Sequence, residues 1–81
     1  MKEIIFSKHA EGRMKFRGLR KKQVESAIEE PDAVLKGKEG TLIAQKDMGT
    51  HILRVIYSDE GKYYLVITAY YADRERYEVK E

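Results

Sequence analysis

Four kinds of side chain in this sequence could act on a phosphate: one histidine near the start, a row of arginines, several tyrosines and one arginine inside a strand-like run. The histidine is His9, within "SKHAEGRMKFRGLRKK" (Ser7–Lys22), which also carries Arg13, Arg17 and the basic run Arg20, Lys21, Lys22. The strand-like run is "ILRVIY" (Ile52–Tyr57), with Arg54 between Leu53 and Val55. Together such groups could cleave RNA without a metal. That reaction needs a base for the 2′-hydroxyl proton, fixed positive charge on the phosphorane oxygens and an acid for the departing 5′-oxygen. Histidine can serve as acid or base near neutrality. Arginine's planar fork spans two phosphate oxygens, and tyrosine can stack on a base or donate a proton.

Each candidate has a plainer reading. A histidine near a helix start is commonly a surface or capping group, and His51 at a strand start reads as structural or solvated. Arg54 carries more weight, because a cation in mid-strand costs free energy unless it has a partner or a purpose. Its plain alternative is an ion pair with Asp47 or a neighbouring carboxylate.

Other chemistries are set aside. "GKEGT" (Gly37–Thr41) lacks the spacing of a phosphate-binding P-loop and reads as a hairpin turn. Two histidines with no cysteine give no metal-ligand spacing, so neither metal nor cofactor is expected. No serine lies in a nucleophile motif.

The charge is unevenly placed. Residues 1–22 hold eight Lys/Arg against Glu3 and Glu11, whereas the whole chain has a net charge of only +2. Such asymmetry points to a polyanion, most simply nucleic acid, held at one end. The alternative is a solvated helix face balanced by acidic residues elsewhere.

The elements that must position these groups follow from local signals. With 81 residues the chain makes one domain, 1–81, since two cores would each be too small. Lys2–Phe6 is a short strand or extended lead-in. Ser7 is a helix N-cap, and a first helix from about Lys8 to Arg17 stops at Gly18. A second helix from about Lys21 to Glu30 buries Val24, Ala27 and Ile28 and ends at Pro31. Leu19 can staple onto Val24, and Gln23 stands where a capping box needs it, although Arg20 is a poor N-cap. Strands follow at Ala33–Lys36, Thr41–Lys46, Ile52–Tyr57 and Tyr63–Tyr71. The expected fold is α+β: a short N-terminal strand, two helices, then an antiparallel meander of about four strands. In the last hairpin, a loop at Asp59–Gly61 would gather Leu53, Val55, Leu65, Ile67 and Ala69 on the core face. The other face would then carry Arg54 with Tyr64, Val66, Thr68 and Tyr70.

No apolar run is long enough to span a bilayer and residues 1–6 lack a signal-peptide layout, so an intracellular, cytoplasmic protein with no membrane partner is expected. The lack of asparagine and cysteine beside abundant Lys, Arg and Glu leans towards a thermophilic source.

These residues also carry a family resemblance. "LRVIYSDEGKYYLVITAYYADRERY" (Leu53–Tyr77) resembles the C-terminal half of RelE/ParE-type toxins, and "VITAYYADRERYE" is similar to the last strand and tail of BrnT-type toxins. The N-terminal pattern "SKHAEGRMKFRGL…V…AI…PD" looks most like an uncharacterised small-domain family with H-A-x-x-R-M-x-x-R-G, grouped by fold with those toxins. The resemblance implies that Arg54 matches the strand arginine that contacts the scissile phosphate. It implies that Arg74 and Tyr77 match a basic and an aromatic residue of the C-terminal segment, and that Thr68 takes a small-hydroxyl position. The chain departs from the pattern at Ala72 and Asp73, where such toxins often carry more positive charge.

The expectation is a toxin-like RNA-binding domain acting as a metal-independent endoribonuclease. Its site would comprise His9, Arg54, Thr68, Tyr70, Arg74 and Tyr77, with Arg13, Arg17, Arg20, Lys21 and Lys22 on the nucleic-acid backbone. Its partners would be RNA, on or off the ribosome, and a cognate antitoxin. The alternative is a non-catalytic nucleic-acid- or protein-binding module on the same fold.

Overall fold

The computed structural model describes residues 2–73, so Arg74 and Tyr77 lie outside the described residues. Strand β1 (Glu3–Phe6) leads directly into helix α1 (Lys8–Arg17) and then α2 (Lys21–Glu29). Strands β2 (Ala33–Lys36), β3 (Leu42–Asp47), β4 (His51–Asp59) and β5 (Tyr63–Asp73) follow, with one short 3-10 turn at Lys38–Gly40. The sheet order is β1-β5-β4-β3-β2. β2 to β5 form the expected antiparallel meander, and β1 adds a parallel edge, pairing Ile5 with Leu65 and Phe6 with Val66. The result is an α+β domain with two helices and a mixed five-stranded sheet.

Local chemistry explains the helix ends. The Ser7 hydroxyl oxygen accepts from the Ala10 N–H at 3.1 Å, satisfying one of the donors a helix start leaves open. Gly18 closes α1 in the left-handed region at φ 70°, where a side chain would be strained. At the start of α2 the Gln23 side chain accepts from the Arg20 N–H at 2.9 Å, the half of a capping box that Arg20 cannot reciprocate. Gly12 lies within α1 and lowers its helical stability by about 1 kcal/mol relative to alanine. Docking must therefore hold α1 in place. Its buried residues Ala10 and Met14 supply that docking.

The core lies between the helices and one sheet face. Met14, Leu19, Val24, Ala27 and Ile28 meet Leu53, Val55, Tyr57, Val66 and Ala69 there.

The last hairpin departs from the expected facing. Arg54 pairs with Tyr70 and Val55 with Ala69, but beyond Ile56↔Thr68 the next pair is Tyr57↔Val66. Ile67 is thus an extra residue, a β-bulge, and it reverses the facing of everything between it and the turn. Val66 is fully buried and Tyr64 packs on the core, while Leu65 and Ile67, expected there, are only half-buried. Between the bulge and the strand's end the expected facing holds, with Arg54, Thr68 and Tyr70 together on the face away from the core.

Candidate functional site

A site forms where β1 stops. β1 covers β5 only as far as Val66. There the Ser7 N–H donates to the Val66 carbonyl at 3.0 Å, and the Ser7 hydroxyl donates to the Ile67 carbonyl at 3.2 Å. These two bonds pin the start of α1 at the bulge and send the helix along the part of β5 that β1 leaves unpaired. One row of α1, His9, Arg13 and Arg17, then faces Thr68 and Tyr70 of β5 across an open cleft of about 310 Å³. Spacings of four residues place that row on a single side of the helix.

His9, Arg13 and Arg17 are exposed, whereas Thr68 and Tyr70 are half-buried. The cleft therefore has a cationic wall open to solvent and a hydroxyl-bearing wall fixed in the sheet. Among the described residues the lining supplies two guanidinium groups, one imidazole and two hydroxyls as hydrogen-bond donors, and no carboxylate. Such a set suits an anion with several acceptor oxygens, and a phosphodiester is the natural case.

Arg54 does not line the cleft. It is one strand further in, 9% exposed, with its guanidinium carbon 5.7 Å from the centre of the Tyr70 ring. That cation–π distance holds the phenol from behind. Buried Gln45 stands opposite it on β3, so Gln45, Arg54 and Tyr70 form one cross-strand row.

The basic run at the start of α2 is not part of the cleft either. Lys21 pairs with Glu11 at 3.4 Å and lies 5.3 Å from the centre of the Phe6 ring. Glu11 is two residues from His9, hence on nearly the opposite side of α1. Arg20 and Lys22 are exposed and do not line the cleft. His51 is also exposed, its Nδ1 3.1 Å from the Thr50 hydroxyl and its ring 5.8 Å from that of Tyr71, well outside the cleft.

The cleft brings together five residues singled out from the sequence, in two groups expected to have different roles. His9, Thr68 and Tyr70 were expected as catalytic groups and Arg13 and Arg17 as a separate backbone grip. The four-residue spacing of His9, Arg13 and Arg17 is the signal in the sequence that they share one side of α1.

The perturbed titrations lie at the other end of the sheet. Hydrogen bonding to Lys2, with help from the Gly61 N–H, holds the Asp59 carboxyl below its ordinary range, and the same contact raises the Lys2 ammonium. Burial pushes the Tyr57 phenol up, with Tyr64 and Asp59 adding to it.

The fold and cleft define a small α+β domain with one cationic, hydroxyl-lined groove between its first helix and its last described strand. Residues 6–71 match the family described as Domain of unknown function (DUF4258), and the chain belongs to that family. No curated protein and no solved structure matches it. Among the described residues no helix is long and apolar enough to cross a membrane.

Proposed function

We propose that this domain is a toxin-like RNA-binding protein that cleaves single-stranded RNA without a metal, at the cleft between α1 and β5. The observation that carries the reading is the convergence of His9, Arg13, Arg17, Thr68 and Tyr70 on one cleft. The resemblance of Leu53–Tyr77 to RelE/ParE-type toxins, and of Val66–Glu78 to BrnT-type toxins, is in keeping with this reading.

In the proposed reaction the substrate's 2′-oxygen attacks phosphorus and forms a new O–P bond as the bond from phosphorus to the 5′-oxygen breaks. One of His9 and Tyr70 accepts the 2′-hydroxyl proton and the other protonates the leaving 5′-oxygen. Arg13 and Arg17 carry the charge that builds on the phosphorane oxygens. The products are a 2′,3′-cyclic phosphate and a 5′-hydroxyl. Arg54 acts through Tyr70 as a positioning residue. A cognate antitoxin would cover this cleft with an acidic segment.

The test is cleavage of single-stranded RNA in excess chelator, with the product ends identified. Wild type should yield cyclic-phosphate ends, and His9→Ala and Tyr70→Phe should each slow the reaction roughly 10²–10⁴-fold, the usual weight of a proton-transfer group. Equal inertness of all three, with binding intact, would exclude catalysis. The excess of positive charge in residues 1–22 favours a second reading in that event, a non-catalytic RNA-binding module on the same cleft.

A further inference from the structure

Two features of α1 are not explained by its packing on the described residues. Phe16 is 83% exposed, against 47% for Val34, the next most exposed large apolar residue among those described. Gly12 has no positive φ, and a methyl group added there would meet nothing within 4 Å. Neither backbone geometry nor packing calls for glycine at that point, although glycine weakens the helix.

The two positions are neighbours. Gly12 and Phe16 are four residues apart and Phe16 follows Arg13 by three, so both sit beside the His9–Arg13 row, on its solvent side. Next to the cleft's cationic row there is therefore a helix position with no side chain and, one turn on, an exposed aromatic ring.

We propose that Phe16 and the bare backbone at Gly12 form a stacking seat for one base of a single-stranded nucleic acid whose adjoining phosphate lies against Arg13 and Arg17. The proposal rests on the cleft being a phosphate site and adds what holds the base. Every base offers a π-face, so the seat is tolerant of sequence. A duplex does not fit it, because its bases are already stacked on one another. A protein partner is poorly matched too: a single ring among glycine, histidine and arginine is far smaller than the core of a protein interface. The surplus of basic side chains in residues 1–22 complements a nucleic-acid strand.

The experiment measures affinity of the full chain for a short single-stranded RNA, for the same strand made abasic, and for anionic phospholipid vesicles. Phe16→Ala should weaken binding of the base-bearing strand roughly 5- to 150-fold, the range seen for loss of one base–aromatic stack. It should leave the abasic strand unaffected, and Phe16→Trp should restore binding. Gly12→Ala should raise the melting temperature yet weaken binding of the base-bearing strand, a pairing of effects that general damage to the fold cannot produce. Equal losses for both strands, or none for either, would overturn the proposal, as would an effect confined to vesicles. If the double variant Arg13→Ala/Arg17→Ala abolishes binding while Phe16→Ala does nothing, the stacking seat fails and the phosphate cleft stands. If wild type binds neither strand, both fail.

Discussion

Arg13 and Arg17 are the residues on which a phosphate-binding reading stands or falls. Each sits on an exposed helical row facing two hydroxyls, so each should contribute through charge. Replacing either with alanine should weaken RNA binding across all sequences and reduce the slope of log affinity against log salt by about one, as measured by titration at several ionic strengths. Arg54 should behave differently, because its guanidinium lies by the Tyr70 ring and is not among the groups that line the cleft. Arg54→Lys keeps the charge and loses the planar stacking surface, so it should slow cleavage while leaving the salt slope unchanged. Its facing away from the helices follows from alternation with Leu53 and Val55, whereas its burial on that face does not. Nor does its absence from the cleft lining, since no local signal tells which strand will lie between it and α1.

At the scale of elements, α1 is the structure most exposed to small changes. It is ten residues long and holds a glycine, so its ends matter more than its intrinsic propensity. Ser7→Ala removes both the cap to Ala10 and the donor to Ile67, and should cost about 1–2 kcal/mol in denaturant unfolding. Gly18→Ala should cost about 1–2 kcal/mol by forcing a side chain into the left-handed region. Ser7 and Gly18 are legible in the sequence because caps and stops are local. The bulge at Ile67 is the opposite case. Alternation through "YYLVITAYY" supports two facings equally well, and only the combined demands of β4, β1 and the helices select the one that buries Val66.

The whole molecule balances a small core against a charged surface. Leu53 is fully buried at the centre of that core. Leu53→Ala should cost about 2–5 kcal/mol by chemical denaturation, a large part of the total that a domain of this size holds. Acid and alkali should attack it at one end of the sheet. Asp59, held low by Lys2, lends stability that is present above the ordinary carboxylate range and lost as pH falls through its lowered value. Lys2 is raised, so its share is lost only as pH rises through that raised value. Tyr57 is raised mainly by burial, and stability should fall as pH climbs from the ordinary phenol range through its own higher value. Melting temperature followed from pH 2 to 12, with Asp59→Asn and Tyr57→Phe as controls, would flatten the acid and alkaline limbs respectively.

The sequence alone determined what short-range physics controls: where both helices begin and end, which stripe of α2 is buried, and that four strands follow. Helical period also sets His9 and Arg13 on one side of α1, because it depends on the backbone and not on distant neighbours. Only the tertiary structure decided that β1 joins β5 in parallel, that Ile67 bulges, and that the α1 row meets Thr68 and Tyr70 with Arg54 behind them. The β1–β5 pairing and the meeting of α1 with β5 join residues about sixty positions apart, and the bulge depends on strands on either side of β5. A strand's partners and facing are settled by the packing of the whole sheet, and no window of sequence contains that information.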